Sequence, residues 1–246
     1  MKNRIIFFAA CLLAIGAKGR QTGGTADTLS FTVAGHINAD TGTVWLRPIN
    51  NDRGYYPFQT DIKVPVSNGN FILTGKLYCP TAYMVKYGGG DGKLSAEFIL
   101  DPGFQTLSYN IDSPLSQPRV NNKTMKEWAR DYEPIYDGVK KEWYSLAATK
   151  DSLGIDYNHH LPDSVSATLL SRTEVIRNKA NAALLDYTKA HPDSYIVLWR
   201  LIEVTAYIDK PIFYSIYDEL SPSIKLAPPA KTLGQKLKAK KDTHTR

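Results

Sequence analysis

The sequence predicts an α+β protein in which an N-terminal antiparallel β-sandwich or partly open barrel of about seven strands precedes about four helices. From residue 29 to residue 111, apolar and polar residues alternate, which is the spacing of strands with one buried face. After Pro118 the apolar residues recur every three or four positions, as on one face of a helix. Clusters of Gly, Pro, Asn and Asp separate these runs and indicate turns.

The strand region, residues 29–115, is predicted from apolar residues at alternate positions. The successive strands contain Leu29, Phe31 and Val33; Val44 and Leu46; Ile62, Val64 and Val66; Phe71, Leu73, Gly75 and Leu77; Tyr83, Val85 and Tyr87; Ala96, Phe98 and Leu100; and Leu107 and Tyr109. The Ser67-Asn68-Gly69-Asn70 segment accepts positive φ and predicts a tight hairpin between the third and fourth strands. Pro80 is expected to end the fourth strand.

The helical region, residues 121–228, is predicted from apolar residues at helical spacing. The first helix carries Met125, Trp128, Tyr132, Ile135, Val139 and Trp143 on one face. The second carries Val165, Leu169, Ile176, Leu184 and Tyr187, and the third carries Ile196, Leu198, Trp199, Ile202 and Val204. Pro134 is expected to kink or split the first helix, because proline lacks the N–H that an inner turn needs.

Capping residues predict where the later helices begin and end. The second helix is expected to begin near Asp163 or Ser164 as its N-cap and to stop before residue 191. Asp193 or Ser194 caps the third helix, and Pro211 suits the first position of a fourth that runs to about Leu220. Residues 229–246 are rich in Lys and poor in large apolar groups, so a basic tail is expected there, either a frayed helix or disordered.

The first 19 residues are typical of a secretory signal peptide. Lys2 and Arg4 precede an apolar run over residues 5–15, and small residues near Gly19 could fit signal peptidase. The run is shorter than the roughly 20 residues that span a bilayer, so no stable membrane span is expected after cleavage. We therefore expect a periplasmic or envelope-associated protein. Lipidation at Cys11 is an alternative, but few apolar residues stand before it.

Charge and cysteine content exclude several classes. Without residues 1–19 the chain holds 27 basic and 24 acidic residues, and six of the basic ones fall within residues 231–246. The rest is nearly neutral, which argues against a nucleic-acid-binding protein. Only Cys79 then remains, so an internal disulfide, a C-x-x-C redox motif and a multi-cysteine zinc site are all excluded.

No residue is assigned a catalytic, cofactor-binding or metal-binding role. Residues 88–93 loosely resemble a phosphate-binding loop, but the spacing is one residue short and a plain hairpin turn is favoured. His159 and His160 are adjacent, so their side chains diverge and a surface loop is favoured over a metal site. His36 and His191 are expected to be structural. Cys79 is expected to be an ordinary, partly buried thiol.

Aromatic and acidic residues offer two further candidates. Trp128, Tyr132, Tyr136, Trp143 and Tyr144 could line a ligand groove or form a seam against the sandwich, and the seam is favoured. Tyr55, Tyr56 and Phe58 lie in a polar loop and are predicted to form an exposed recognition patch. Asp131 and Glu133 are an acidic pair of the kind common on solvated helix faces.

Short motifs carry a family resemblance. Phe71-Ile72-Leu73-Thr74-Gly75, then Pro80, then Glu97-Phe98-Ile99-Leu100-Asp101-Pro102-Gly103 resemble the N-terminal domain of unknown function that precedes the thioredoxin-like domain in envelope TlpA-like thiol-disulfide oxidoreductases. His191-Pro192-Asp193-Ser194, Leu220-Ser221-Pro222 and Thr232-Leu233-Gly234 resemble the helical connector of those proteins. The resemblance implies the accessory part without the C-x-x-C domain, either a stand-alone paralogue or a shortened gene product.

These observations predict an exported, non-catalytic binding or interaction module of the bacterial cell envelope, not an enzyme and without a cofactor. The alternative is an accessory subunit of a periplasmic thiol-disulfide system that acts with a separate thioredoxin-like partner through Cys79. A third reading is structural, with the helices and basic tail docking to an envelope surface or a second copy. The expected partner is an envelope protein or a thioredoxin-like protein. The sequence leaves the ligand and the oligomeric state open.

Overall fold

A computed structural model describes residues 28–49, 54–55, 61–88, 92–113, 116–152, 163–207 and 210–244. It confirms the α+β class, with a strand region followed by helices. The predicted signal peptide with Cys11, Tyr56, Phe58, residues 89–91 of the glycine-rich turn, His159 and His160 lie outside the described residues. Within the described part, no helix has the length and apolar content needed to cross a bilayer.

The strands form one curled, partly open sheet. They are β1 (Leu29–Ile37), β2 (Thr41–Pro48), β3 (Ile62–Ser67), β4 (Asn70–Leu77), β5 (Thr81–Tyr87), β6 (Lys93–Leu94), β7 (Phe98–Leu100), β8 (Gly103–Tyr109) and β9 (Arg119–Asn121). Their order is β6-β5-β2-β3-β4-β1-β8-β9, and β7 pairs with β5 beside β6. The sheet therefore follows the partly open barrel of the prediction and not two stacked sheets.

Two details of the sheet differ from the sequence prediction. The predicted sheet is wholly antiparallel, but β1 and β8 run parallel, with Val33 opposite Gln105. This pairing arises because β8 returns along the free edge of β1 after the chain has crossed through β5, β6 and β7. The described strands also outnumber the seven predicted, because the strand after the glycine-rich turn is split into β6 and β7, and residues 119–121 add an edge strand.

The hairpin between β3 and β4 confirms the turn predicted from Asn68 and Gly69. Asn68 has a φ of 49° and Gly69 a φ of 74°, and both angles lie in the left-handed region. A Cβ on Gly69 would also meet the His36 ring and the Ile37 carbonyl oxygen at 2.8 Å. The turn pairs Ser67 with Asn70, and β4 continues along β1, where Phe31 lies opposite Gly75 and is buried.

The helices are α1 (Lys123–Glu127), α2 (Glu133–Ser152), α3 (Asp163–Ala190), α4 (Tyr195–Tyr207), α5 (Pro211–Glu219), α6 (Pro222–Lys225) and α7 (Pro228–His244). A π-helical turn, Trp128–Tyr132, joins α1 to α2. The bounds of α3, α4 and α5 confirm the helices predicted from residues 163 to 220. The prediction of a frayed or disordered tail is wrong, because Ala230, Leu233 and Leu237 are buried on one face of α7.

One main core joins the sheet to the helices. Its strand residues include Val33, Leu46, Leu73, Val85 and Leu100. Helix α4 contributes Ile196, Val197, Leu198, Leu201 and Ile202, each with no exposed surface. A smaller core of Val139, Leu146, Leu169 and Ile176 lies between α2 and α3. The buried faces of α4 to α7 therefore hold the helical region against the sheet, which places the residues of α4 beside β7 and the π turn.

A dense hydrogen-bond network fixes the joint between β7 and α1. The amide of Asn122 donates to the Ile99 carbonyl at 2.8 Å and to the Gln105 side chain at 2.6 Å, and its oxygen accepts from the Met125 N–H at 2.7 Å. The Asp101 carboxylate accepts from the N–H and the hydroxyl of Thr124. We term Asp101, Gln105, Asn122 and Thr124 the joint cluster. It gives the Asp101-Pro102-Gly103 motif a structural role, since it anchors the first turn of α1.

Candidate functional site

A cleft of about 370 Å³ lies where α2 and α4 meet the open side of the sheet. We term it the aromatic cleft. Its aromatic lining residues are Trp128, Tyr132, Tyr136 and Tyr144. Its polar lining residues are Glu97, Ser116, Gln117, Glu133, Lys140 and Arg200. This volume falls within the roughly 300–1,000 Å³ typical of small-molecule sites.

The cleft exists because two edge segments of the sheet approach without forming a ladder. The N–H of Ala96 donates to the Ser116 carbonyl at 2.9 Å, and the Gln117 side chain donates to the Glu97 carbonyl at 3.1 Å. These bonds hold the segment before β7 beside the segment before β9. Since the two segments carry no paired strands there, their side chains form the sheet side of the cleft.

The π turn forms the floor of the cleft. The Glu133 N–H donates to the Trp128 carbonyl, the five-residue spacing of a π-helix. Pro134 follows at once and has no N–H to give to the carbonyl four residues earlier, so the wider turn lies where an α-helical bond would be missing. Short π segments are rare and occur frequently at functional sites. The turn stacks the Tyr132 ring on Tyr136 at 5.8 Å between centroids and sets Trp128 edge-on to Tyr132 at 5.2 Å.

The first turns of α2 supply the outer wall. Glu133, Tyr136, Lys140 and Tyr144 recur every three or four residues and therefore share one helix face. Lys140 and Glu133 form an ion pair at 3.7 Å. Tyr144 is 65% exposed, so a broad aromatic surface stands at the mouth of the cleft. Ile135, which the sequence places on the buried face, is instead 46% exposed, whereas Val139 of the same predicted face is buried.

A charge cluster of Glu97, Arg200 and Glu203 lies at the inner end of the cleft. The Nη1 of Arg200 forms ion pairs with Glu97 and, at 2.6 Å, with Glu203. The guanidinium carbon lies 4.6 Å from the centroid of the Trp128 ring, a cation–π distance. Only about a fifth of the Arg200 and Glu97 side chains is exposed. The Nε of Arg200 is buried and makes no hydrogen bond to a described residue.

Burial changes the proton affinity of this cluster. The pKa of Glu97 is raised to about 7, because desolvation by burial and the nearby Glu203 carboxylate together outweigh the opposing effect of Arg200. Burial acts against the charge on Arg200, but Glu97, Tyr132 and Glu203 together raise the pKa of the guanidinium above its usual value. Arg200 therefore stays charged, whereas Glu97 can hold or release a proton near neutral pH. Such perturbed groups in a cleft are typical of functional sites.

The structure divides the five predicted aromatic residues between the seam and the groove. Trp128 and Tyr132 are buried in the main core, as the seam prediction requires, and both also line the cleft. Tyr136 and Tyr144 line the cleft, as the groove alternative requires. Trp143 packs against the smaller core. The aromatic row therefore packs against the core on one side, as the seam prediction states, and lines the cleft on the other, as the groove alternative states.

Other predicted candidates fall outside the cleft or have structural roles. Tyr55 is 4% exposed, so the prediction of an exposed patch is wrong for this residue. The reason is that α7 covers it, with Lys236 over its ring at 4.2 Å. Asp131 is paired with Arg130, and Glu133 with Lys140, so this acidic pair is divided between two bases.

The sulfur and imidazole candidates are also structural. Cys79 is a free thiol with 3% exposure, and burial raises its pKa to about 12. Little thiolate, the reactive form, is therefore present at neutral pH. His191 stacks on Tyr187 at 4.5 Å, and a His36 ring nitrogen lies 3.4 Å from the Asn70 side-chain oxygen. In the described ranges, no three His, Cys, Asp or Glu side chains lie in position to share a metal ion.

The charge cluster was not predicted from the sequence. A signal was present in the predicted third helix, where Arg200 and Glu203 interrupt the apolar run between Trp199 and Val204 at a spacing of three residues. Glu97 similarly stands between Ala96 and Phe98 in a strand. A charged residue beside buried neighbours requires a partner, but the sequence does not show which one.

A second cavity of about 400 Å³ lies beneath α7 and is lined by Tyr55, Thr205, Leu233, Lys236 and Lys240 among others. The aromatic cleft is the better candidate, because it combines a row of aromatic rings with the charge cluster.

Two comparisons with known proteins find no match. A scan of the chain against protein-family models finds no match, and a search of curated proteins finds none. The resemblance to the accessory region of TlpA-like oxidoreductases therefore stays a prediction.

Proposed function

We propose that this chain is an exported, non-catalytic binding module of the bacterial cell envelope and that the aromatic cleft is its binding site. The observation that carries the proposal is the charge cluster, where an arginine whose buried Nε has no partner among the described residues and a carboxyl with a raised pKa line an aromatic cleft. The cleft combines apolar ring surface with few, convergent polar groups, which is the usual composition of a ligand site. The π turn at its floor supports the same reading.

Export is proposed from the composition of residues 1–19. The test compares the full chain with a variant that lacks these residues, both produced in a Gram-negative host and followed by cell fractionation. We expect the full chain in the periplasmic or envelope fraction and the shortened chain in the cytoplasm. Equal distribution of the two would contradict the proposal.

The non-catalytic part of the proposal is supported by the state of Cys79. A buried thiol with a pKa of about 12 is a poor nucleophile for disulfide exchange, which weighs against a redox role through this residue. The chain purified after export should show no dithiothreitol-dependent reduction of insulin. Turnover that is lost in Cys79→Ser would favour the accessory redox subunit instead.

Binding is tested with a chemically diverse ligand library and ligand-observed NMR. The key variant is Tyr144→Ser, because Tyr144 lies exposed at the mouth of the cleft and its loss leaves the core intact. The matched control is Phe104→Ser, since Phe104 is 73% exposed on β8 and does not line the cleft. Ligands of the cleft should be lost in Tyr144→Ser and kept in Phe104→Ser. If a ligand binds both variants as it binds the wild type, its binding site lies outside the cleft.

A further inference from the structure

We propose that the aromatic cleft takes an uncharged carbohydrate, an inference that rests on the function proposed above and names its ligand class. The charges that line the cleft favour an uncharged ligand. Two bases, Arg200 and Lys140, face two acids, Glu97 and Glu133, and each base already has an acidic partner. A charged ligand would have to displace an ion pair, whereas an uncharged polar ligand would not.

The polar groups at the inner end of the cleft can both donate and accept hydrogen bonds. The carboxylate of Glu97 accepts, the guanidinium of Arg200 donates, and the amide of Gln117 does both. A sugar hydroxyl is at once donor and acceptor, so neighbouring hydroxyls on a ring can bridge a carboxylate and a guanidinium that lie side by side. Bonds to charged groups are stronger than bonds between neutral groups, so this inner end of the cleft can orient the ring.

The aromatic surface of the cleft is suited to packing against a sugar ring. Tyr136 and Tyr144 line the cleft from one face of α2, and Tyr144 is mostly exposed. A sugar ring has an apolar C–H face and a polar rim, so it can pack on an aromatic ring while its hydroxyls reach the charged groups. A cationic ligand would compete for aromatic faces with Arg200, which already lies over Trp128. An anionic ligand would compete with Glu97 and Glu203 for the same guanidinium.

The experiment measures affinity by isothermal titration calorimetry on the full chain, purified after export. The neutral probes are the tetrasaccharides chitotetraose, cellotetraose, maltotetraose, xylotetraose and mannotetraose. The charged probes are tetralysine and tetraglutamate. Each is titrated into the wild type, Tyr144→Ser, Glu97→Gln and the control Phe104→Ser. Thermal unfolding midpoints verify that every variant is folded.

We expect at least one neutral tetrasaccharide to bind and its affinity to fall roughly tenfold in Tyr144→Ser, as expected for the loss of one stacked ring. Phe104→Ser should bind as the wild type does. If only a charged peptide binds and Tyr144→Ser weakens it, the carbohydrate inference fails while the cleft remains the binding site. If no probe binds, or binding is insensitive to Tyr144→Ser and Glu97→Gln, both the inference and the proposed site are overturned.

Discussion

Two polar clusters lie on either side of the short strand β7, and they use buried polar groups in opposite ways. In the joint cluster, the Asn122 side chain makes three hydrogen bonds and the Asp101 carboxylate makes two. In the charge cluster, Glu97 and Glu203 share one nitrogen of Arg200, while the Nε of that residue makes no bond to a described group. The named polar groups of the joint cluster therefore have hydrogen-bond partners within the cluster or on the nearby backbone, whereas the Nε of Arg200 in the charge cluster has none among the described residues.

This difference separates a structural role from a binding role. A fully satisfied network stabilises one conformation, because breaking it exposes groups that have no other partner. A partly satisfied cluster at the end of a cleft retains capacity for a ligand and costs some stability. We therefore expect substitutions in the joint cluster to lower stability and leave ligand affinity unchanged. Substitutions at the mouth of the cleft should lower ligand affinity and leave stability nearly unchanged.

The largest expected effect is that of Asn122→Ala. This change removes the N-cap of α1 and the hydrogen bonds that the Asn122 amide donates to the Ile99 carbonyl and the Gln105 side chain, so the free energy of unfolding should fall by about 3 kcal/mol. Urea unfolding measures the change. The control is Asn121→Ala at the exposed neighbouring position, which should cost less than about 0.5 kcal/mol. Equal losses in the two variants would contradict a structural role for the joint cluster.

The next effect is a pH dependence that belongs to Glu97. Its pKa is about 7 in the folded chain and 4.5 as the ordinary value, so the folded state binds a proton more tightly than the unfolded state. Stability should therefore fall as the pH rises from about 4.5 to about 7, by on the order of 3 kcal/mol. The measurement is the free energy of unfolding of the wild type and Glu97→Gln across this range.

The Glu97→Gln curve should lack this decline, since glutamine does not titrate. Glu133→Gln serves as the control, because Glu133 lies in the same cleft with a more exposed side chain. Its curve should follow that of the wild type. Parallel wild-type and Glu97→Gln curves would show that the charge cluster does not hold a shifted proton.

The smallest effect on stability is expected for Tyr144→Ser. The side chain is 65% exposed, so its removal should change the free energy of unfolding by less than about 0.5 kcal/mol. Because Tyr144 lines the cleft, the same variant should still lose ligand affinity. A loss of stability comparable to that of Asn122→Ala would mean that Tyr144 serves packing rather than binding.

Local patterns made much of the fold predictable from the sequence. Alternation marked the strands, and Asn68 with Gly69 marked the hairpin between β3 and β4. The parallel pairing of β1 with β8 was not predictable, because alternation indicates a buried face but not a partner strand. Helix α7 was missed because its many lysines hide the spacing of Ala230, Leu233 and Leu237.

The candidate site was predictable only in part. The helical spacing of Tyr132, Tyr136 and Tyr144 indicated an aromatic row, but not which rings remain accessible. The π turn decides this, and its bonding depends on Pro134 and on packing against the main core. Glu97 and Arg200 lie roughly a hundred residues apart, so only the tertiary fold brings them together.

The most direct test of the account uses the indole N–H signals of the four tryptophans in a ¹⁵N-labelled chain. Each signal is assigned by a Trp→Phe variant and followed while the neutral tetrasaccharides are added. We predict a saturable shift of Trp128, which lines the cleft, and no shift of Trp45, which lies on β2 between Lys63 and Lys86. A shift at Trp45 without one at Trp128, or no saturable shift at any indole, would contradict the assignment of the aromatic cleft as a carbohydrate-binding site.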